Sequence, residues 1–323
     1  MVHEVPCMVE TSFISCRINV RQQVEFLKII GGSASEALAS KVAHELDREP
    51  AKIEFNKFPD GEKYLRILDD VKGEDVVVIQ SINRTPDEFL VEYLLIVDTL
   101  KDVGATKVVG FIPYFAYARQ DERFKPGEAF SFKTVSKLIE IVGTDELYTI
   151  DMHKHRVVRS TDLFKIPSQN LTAMPLLADY VEKTGNLQNP LVIGPDAEAA
   201  QWAKVAAERL RTDYDVFEKK RLGSENVQIR PGKLNVKDRD VLIVDDIIST
   251  SGTVVGALEI LFSQGARKID VACTHPILVG GALEKIYETG ANNVIGTDTV
   301  PSPVSYVSVA PLIAEQIKKA GFR

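Results

Sequence analysis

The sequence predicts an α/β protein built from two similar domains, each a mainly parallel sheet flanked by helices. From residue 25 onward, short apolar runs alternate with longer segments of helical periodicity, which is typical of parallel strands joined by crossover helices. The chain has 323 residues, enough for about two domains. An internal similarity indicates duplication: DVVVIQS and GATKVVGFIPYF in the first half correspond to DVLIVDD and GARKIDVACTHP in the second.

Composition and charge exclude several classes of protein. Hydrophobic residues make up 45% of the chain and charged residues 26%, as in an ordinary folded protein, and the net charge of −7 argues against a broad nucleic-acid-binding face. Cys7, Cys16 and Cys273 form neither a CxxC motif nor a zinc spacing, which favours a reducing, cytoplasmic setting. No apolar run approaches the ~20 residues of a membrane span. Residues 1–24 lack a signal-peptide pattern and are predicted to be an extension of unknown role.

The first domain is predicted to span residues 25–170. It begins with a strand at residues 26–30, and the turn Gly31-Gly32-Ser33 leads into a helix that ends near residue 46. Further strands are predicted at residues 53–55, 76–79, 107–112 and 147–150. Helices are predicted at residues 89–100 and 130–142.

The second domain is predicted to span residues 171–308 and repeats the alternation. Its strands are predicted at residues 191–193, 215–217, 241–244, 269–274 and 293–296. Its helices are predicted at residues 197–211, 253–264 and 279–288. The last segment, residues 309–323, has a helical pattern and is expected to pack on the first domain.

The stretch VLIVDDIISTSGTVV, residues 241–255, carries the strongest chemical signal. Its apolar start is predicted to be a buried strand that ends at Asp245 and Asp246, and a turn follows with Ser249, Thr250, Ser251, Gly252 and Thr253. Hydroxyls and backbone N–H groups at a helix N-terminus suit a phosphate. Two carboxylates beside a phosphate require sugar hydroxyls or a divalent cation as partners, so a phosphorylated sugar fits both. The alternative is an ordinary turn in which one aspartate caps the helix.

Two further polar segments follow predicted strands. Asp151, His153 and His155 come directly after residues 147–150 and would point the same way in an extended chain, which makes them candidate Mg²⁺ or Mn²⁺ ligands. Asp196 lies in the segment GPDAE, where N–H groups could hold a pyrophosphate. Asp196 is a candidate metal ligand and also a candidate helix N-cap, and the two interpretations are compatible.

Three charged segments are less specific. KFPDGE at residues 57–62 alone favours a solvated loop, and EKKRLG at residues 218–223 alone favours a solvated face. YARQDER at residues 117–123 offers two arginines and a carboxamide, which suit a polyphosphate because Arg presents forked donors. The alternative for YARQDER is a surface cluster of ion pairs.

Taken in order, FPDGE, YARQD, D-x-H, GPD, KKR and DDIISTSGT resemble the motifs of ribose-phosphate pyrophosphokinases from about residue 26 to the C-terminus, and DDIIST is similar to the archaeal form. The resemblance implies two phosphoribosyltransferase-type domains, the first binding ATP and the second ribose 5-phosphate. It also implies transfer of the pyrophosphoryl group of Mg-ATP to the 1-hydroxyl of the sugar, giving phosphoribosyl pyrophosphate and AMP for nucleotide biosynthesis.

For the nucleotide, the resemblance implies that Phe58 stacks on adenine while Asp60 and Glu62 accept hydrogen bonds from its amino group. In the family these contacts usually cross a subunit boundary, which implies a homo-oligomer that is at least a dimer. Arg119 and Gln120 are carried over as further ATP contacts.

For the reaction, the resemblance implies that Lys219 and Arg221 lie on a mobile catalytic loop that closes over the phosphates, with Gly223 and Gly232 allowing the movement. Asp245 and Asp246 would bind the ribose hydroxyls, and residues 249–253 the 5-phosphate. His153 and Asp196 would bind Mg²⁺, with Mn²⁺ as an alternative.

The chain departs from the family at several positions. Lys165 and Gln169 stand where carboxylates are frequent, which leaves a second metal site open, and Ser249 replaces an acidic residue of bacterial and animal members. Glu198 and Ala199 stand where a glycine pair is common.

Two other functions stay open on the sequence alone. A phosphoribosyltransferase would use the same phosphate loop but should lack an ATP-binding first domain. A non-catalytic regulatory subunit should have lost the cationic loop, and Lys219 and Arg221 speak against that loss.

Overall fold

The computed structural model describes residues 27–153, 164–184, 187–221, 227–230 and 235–321. The predicted extension at residues 1–24 lies outside these ranges, as do His155, Gly223 and Gly232. Within the described ranges, no helix has the length and apolar character needed to cross a membrane.

The first half forms a five-stranded parallel sheet with the order β1-β4-β5-β6-β7. Its strands are β1 (Leu27–Gly31), β4 (Asp75–Ile79), β5 (Lys107–Ile112), β6 (Glu146–Ile150) and β7 (Ser168–Leu171). Its helices are α1 (Glu36–Glu45), α2 (Pro86–Asp102) and α3 (Ser131–Ile141). The run predicted at residues 53–55 is instead part of a separate antiparallel hairpin, β2 (Ile53–Lys57) and β3 (Lys63–Ile67). The hairpin lies outside the sheet because only one of its faces is apolar; that face packs on the domain core.

The second half forms a six-stranded parallel sheet with the order β15-β14-β13-β12-β8-β9. Its strands are β8 (Leu191–Gly194), β9 (Tyr214–Val216), β12 (Asp240–Ile248), β13 (Lys268–Pro276), β14 (Asn293–Thr297) and β15 (Ser305–Val307). A second antiparallel hairpin comprises β10 (Glu218–Arg221) and β11 (Val227–Arg230). The helices are α4 (Met174–Thr184), α5 (Ala200–Leu210), α6 (Gly252–Ser263), α7 (Ala282–Glu288) and α8 (Ala310–Ala320), and a 3₁₀ turn covers Ala197–Ala199.

The strand orders confirm the duplication inferred from the sequence. Strands β1, β4, β5, β6 and β7 of the first sheet correspond in order to β8, β12, β13, β14 and β15 of the second, and β9 is an addition at one edge. Each half also places its antiparallel hairpin between its first strand and the central strand that follows. The β2–β3 hairpin, which carries FPDGE, is therefore the counterpart of the β10–β11 hairpin, which carries KKR.

Helices cover both faces of each sheet, which explains why the central strands are apolar throughout. On the first sheet, α2 and α3 pack on one face, while α1 and the C-terminal helix α8 pack on the other. Ile313 and Ile317 of α8 lie in the same buried cluster as Val42 of α1. The chain thus returns to the first domain after completing the second.

The structure also contains elements that the sequence pattern did not predict, namely β3, β7, β10, β11, β15 and α4. Strand β7 reads SQNL and has little apolar character, so it depends on pairing with β6 at the sheet edge. Helix α4 follows it and buries Met174, Leu177, Ala178 and Val181.

Candidate active site

The predicted end of the strand at Asp245 is wrong, because β12 continues through both aspartates to Ile248. Strand β13 runs alongside for its full length and pairs Cys273 with Asp245 and Pro276 with Ile248. The two carboxylates therefore belong to the last residues of a strand and share its rigidity. The phosphate-type loop begins afterwards, at Ser249.

The loop after β12 leads directly into helix α6. Ser251 is the N-cap residue and adopts a left-handed conformation with φ +70°, and its side chain makes no capping hydrogen bond. Its hydroxyl donates instead to the carbonyl of Thr250 at 2.5 Å. A Cβ atom placed on Gly252 would meet no heavy atom within 4 Å. The helix N-terminus thus faces open space, as an anion-binding loop requires.

Asp246 is buried at the boundary between the domains and meets His153 from the first domain. The Nδ1 atom of His153 lies 2.7 Å from Oδ2 of Asp246, while Oδ1 of Asp246 accepts a hydrogen bond of 2.8 Å from the N–H of Ile247. Burial raises the pKa of Asp246 to about 7. Burial and the adjacent charge of Asp246 raise the pKa of Asp245 well above its usual range. Two crowded carboxylates of this kind favour a shared proton or a bound cation.

Carboxylates from the loop after β8 face the other side of His153. Oε2 of Glu198 lies 3.9 Å from Nε2 of His153. The predicted N-cap role of Asp196 is confirmed, because its Oδ1 accepts hydrogen bonds from the N–H groups of Glu198 and Ala199 at 3.1 and 3.3 Å. Burial lowers the pKa of His153, although the charges of Glu198 and Asp196 oppose that shift. The imidazole is therefore surrounded by acidic groups from two elements.

The donors around His153 have the chemistry that Mg²⁺ prefers. Carboxylate oxygens come from Asp196, Glu198 and the two aspartates of β12, and Mg²⁺ needs only one or two of them because substrate phosphates and water supply the rest. In the described part of the chain, no three His, Cys, Asp or Glu side chains are arranged to hold an ion by themselves. The residues present thus fit a cation that binds together with a polyphosphate.

Asp151 does not join His153 in a ligand set, contrary to the expectation from the D-x-H spacing. Its carboxylate is buried and accepts hydrogen bonds from Thr274, Trp202 and the N–H of Ala173. The backbone at Asp151 has φ +39°, so the chain is not extended here and the alternation assumed from the sequence does not apply.

Arg119 of YARQD is exposed and lies near the same boundary. Its charge lowers the pKa of Asp246, against the larger raising effect of burial. Its neighbour Gln120 instead binds within its own loop, where Nε2 donates to the carbonyl of Glu122 at 3.0 Å. The guanidinium group of Arg119 therefore lies on the first-domain side of the acidic groups, close enough to affect their charge.

The remaining predicted contacts lie on the two hairpins. The side chain of Phe58 is 52% exposed and contacts the ring of Tyr64 edge to face, with centroids 6.1 Å apart. Asp60 and Glu62 are also exposed, at the turn of this hairpin. Lys219 and Arg221 have their backbone in strand β10 rather than in a loop, and their side chains lie outside the described atoms.

Sequence reasoning missed four residues at the domain boundary: Tyr114, Trp202, Thr274 and His275. The ring of Tyr114 lies 5.0 Å from that of His275. The segment THP, which contains Thr274 and His275, was visible as the end of a repeated strand. Its position at the carboxyl end of β13, beside Asp245 and Asp246, is the signal that would have identified it.

Comparisons with known proteins agree over nearly the whole chain. Residues 27–143 match the family model for the N-terminal domain of ribose phosphate pyrophosphokinase, and residues 160–301 match that for the phosphoribosyl transferase domain. The ribose-phosphate pyrophosphokinase of Methanothermobacter thermautotrophicus is 45% identical over 290 residues, covering 90% of this chain and 99% of that protein. The corresponding protein of Pyrococcus furiosus is 39% identical over 286 residues, covering 88% and 98%. The crystal structure of phosphoribosylpyrophosphate synthetase from Mycobacterium smegmatis has a TM-score of 0.81 at 29% identity and covers 91% of this chain and 98% of that one.

Proposed function

This chain belongs to the ribose-phosphate pyrophosphokinase family, and on that premise we propose how its two domains share the reaction. It is a transferase that moves the pyrophosphoryl group of ATP to the 1-hydroxyl of ribose 5-phosphate, with AMP as the second product. The observation that supports our assignment of roles is the 2.7 Å contact between His153 of the first domain and Asp246 of the second.

The second domain binds the sugar. Asp245 and Asp246, at the end of β12, accept hydrogen bonds from the ribose hydroxyls. The 5-phosphate binds at the N-terminus of α6, to the hydroxyls and N–H groups of Ser249, Thr250, Ser251, Gly252 and Thr253. The open space in front of Gly252 supports this placement.

The first domain and its hairpin bind ATP. Arg119 contacts the polyphosphate, and Gln120 binds the nucleotide nearby. Phe58 stacks on adenine, while Asp60 and Glu62 accept hydrogen bonds from its amino group. Because these three side chains project from an exposed hairpin turn, we propose that they serve the site of a neighbouring subunit in a homo-oligomer of at least two chains.

His153 and Asp196 would hold Mg²⁺, or Mn²⁺ in its place, when ATP binds. The ion neutralises charge on the transferred group when it is bound. Nδ1 of His153 is already engaged with Asp246, so Nε2 is the atom that faces the ligand.

Catalysis then depends mainly on positioning. The oxygen of the 1-hydroxyl attacks the β-phosphorus, the bond from that phosphorus to the α,β-bridging oxygen breaks, and the electron pair leaves with AMP. Lys219 and Arg221 stabilise the charge that develops on the transferred group. The hydroxyl proton passes to solvent or a phosphate oxygen, since no side chain is assigned as a dedicated base.

The experiment is an assay of AMP release by purified protein with Mg²⁺, ATP and ribose 5-phosphate. We expect AMP only when all three are present, and Lys219→Ala should lower turnover at least ~100-fold while ATP still binds. Lys220→Ala, which removes the adjacent cation, is the matched control and should retain most activity. AMP formation without the sugar would contradict the proposal, as would equal losses in the two variants.

A further inference from the structure

A buried carboxylate joins the two domains directly below the candidate site. Asp151 follows β6 of the first domain, two residues before His153. Its Oδ2 accepts hydrogen bonds from Oγ1 of Thr274 at 2.7 Å and from the N–H of Ala173 at 2.8 Å. Its Oδ1 accepts one from the indole Nε1 of Trp202 at 3.1 Å. Thr274 lies in β13 and Trp202 in α5, so both belong to the half of the chain that forms the second sheet, whereas Ala173 follows β7 of the first sheet.

His275, the next residue of β13, holds the same end of β6 by its backbone. Its Nε2 lies 2.9 Å from the carbonyl oxygen of Ile150 and 3.3 Å from that of Asp151. A carbonyl cannot donate, so Nε2 carries the hydrogen and the ring is bound as a donor on this side. The opposite nitrogen, Nδ1, lies 2.9 Å from Oγ1 of Thr299. The end of β6 is thus held by a side chain and by main-chain carbonyls together.

These contacts position His153 relative to Asp246, because residues of β13 hold the end of β6 that leads to His153. In the register of the second sheet, Asp245 pairs with Cys273 and Ile247 with His275, so Thr274 lies level with Asp246. Thr274, which donates to Asp151, is therefore fixed in register with the residue that His153 contacts. Asp151 keeps φ +39°, a conformation that is uncommon for residues other than glycine and that the hydrogen bonds to its side chain stabilise.

We propose that Asp151 is a positioning residue for the reaction, and that Thr274 and Trp202 act through it to set His153 against Asp246. The carboxylate is turned into the protein and accepts hydrogen bonds from Thr274, Trp202 and Ala173, so it supports the imidazole without contacting substrate. We call Asp151 together with Thr274 and Trp202 the joint. The joint fixes the ATP-binding half of the chain relative to the sugar-binding half. This inference rests on the proposed function in one respect, since it takes His153 and Asp246 to be part of the reaction site.

The kinetic experiment compares two substitutions of Thr274. Thr274→Val removes the hydroxyl and keeps the shape, so kcat should fall about 10- to 100-fold through misplacement of His153, while KM for ribose 5-phosphate changes little. Thr274→Ser keeps the donor and should restore most of kcat. The control is Thr144→Val, which removes a buried hydroxyl that lies 3.0 Å from the hydroxyl of Tyr93, within the first domain. It should lower stability but leave kcat near the wild-type value.

Trp202 supplies a test that does not depend on activity. The chain has one tryptophan, so the ¹⁵N-labelled indole gives one N–H signal. In Asp151→Asn a neutral amide replaces the carboxylate as acceptor, the hydrogen bond weakens, and the indole proton should shift upfield.

The two measurements separate the inference from the proposed function. Failure of the wild type to release AMP would remove the proposed function, and the indole signal would still decide whether the joint exists. An indole proton insensitive to Asp151→Asn would overturn the joint. A kcat of Thr274→Val equal to that of Thr144→Val would overturn the positioning role, and so would failure of Thr274→Ser to restore kcat.

Discussion

Asp246 shows how one buried residue serves two domains. Its Oδ1 accepts a hydrogen bond from the N–H of Ile247, and its Oδ2 contacts His153. Burial raises the pKa of Asp246, so before substrate binds the carboxyl takes up a proton more readily than an exposed aspartate does. A bound cation or a pair of sugar hydroxyls would favour the charged form.

We predict that Asp246→Asn lowers turnover at least ~100-fold and raises the Kd for ribose 5-phosphate, because the amide is a weaker acceptor for the sugar and a weaker partner for His153. Calorimetric titration with each substrate and steady-state assays would measure the two effects. Binding of ATP to the free protein should change much less. A variant with normal turnover would remove Asp246 from the site.

His275 gives a prediction about stability and pH. Burial lowers its pKa to about 3, with the charges of His153 and Arg119 adding to the shift. Between pH ~6.5 and ~3 the unfolded chain therefore binds one more proton than the folded chain, so this residue makes stability fall as pH falls, by up to about 1.4 kcal/mol per pH unit.

The comparison is with His275→Gln, which does not titrate but can still donate to the carbonyl of Ile150. The wild type should lose about 2 kcal/mol more than this variant between pH 7 and pH 5. Urea unfolding at the two pH values measures the difference, and the raised pKa values of Asp245 and Asp246 cancel because both proteins contain them. A difference independent of pH would show that His275 titrates normally in the folded state.

At the level of single residues, the sequence predicted what local patterns determine. Asp196 was expected to cap a helix and does so, since a cap depends on neighbours in the chain. Asp151 was expected beside a metal, but its partners Thr274 and Trp202 lie 123 and 51 residues away. A local sequence pattern does not predict a contact that depends on how two domains pack.

The β2–β3 hairpin is held to its domain by its apolar face and by Lys63, which pairs with Glu92 and also lies 2.8 Å from Oε1 of Glu88. Nζ of Lys63 lies 2.5 Å from Oε2 of Glu92, whose side chain is fully buried in α2. The other oxygen of Glu92 accepts hydrogen bonds of 2.7 Å from the N–H of Ser33 and from Nε2 of Gln80. The hairpin that carries Phe58 is therefore tied, through Glu92, to the turn at Ser33 after β1 and to Gln80 after β4.

We predict that Lys63→Met raises KM for ATP about 10-fold without changing KM for ribose 5-phosphate, because the adenine contacts lose their fixed position while the sugar site is untouched. Lys57→Met is the matched control: Lys57 lies on the same hairpin, is 53% exposed and pairs with Glu88 at 2.7 Å. An exposed pair of this kind contributes little. Equal effects of the two variants on KM for ATP, or an equal rise in both KM values, would contradict the role of Lys63.

At the level of elements, long periodic segments were predictable and short ones were not. Helix α2 and strands β4 and β12 follow from runs of apolar residues that only a buried element explains. The hairpins did not follow, because β3 reads KYLRI without a regular alternation of polar and apolar residues, and all four residues of β10 are charged. Strand β7 depends on its neighbour β6 rather than on its own residues.

At the scale of the whole molecule, the two halves share one strand order but carry different residues at the ends of corresponding strands. The second half keeps two aspartates at the end of β12, whereas the first half has Gln80 and Ser81 at the corresponding positions after β4. Oγ of Ser81 donates to the carbonyl of Thr299 at 2.6 Å, so the first-half position now serves the contact between the domains. The sequence predicted the repeat, in which Gln80 and Ser81 align with Asp245 and Asp246, while the contact between Ser81 and Thr299 required the structure.

The proposed sharing of sites between subunits predicts complementation. A mixed dimer has one Phe58→Ala chain and one Asp246→Asn chain. One of its two sites then contains both substituted residues, and the other contains an intact Phe58 and an intact Asp246. Random mixing of the inactive parents should therefore restore about a quarter of wild-type activity. Assays after co-refolding or co-expression measure the recovery. No recovery in a mixture proven to contain mixed dimers would place each adenine contact within its own chain.

The central claim is that the two domains together move a pyrophosphoryl group from ATP to the sugar. The most direct measurement is ³¹P NMR of the complete reaction with Mg²⁺, ATP and ribose 5-phosphate. The account predicts equal amounts of AMP and of a sugar 5-phosphate that carries a 1-pyrophosphate, with no ADP from the transfer itself. Formation of ADP with a sugar bisphosphate, or no consumption of ATP by folded protein, would contradict it.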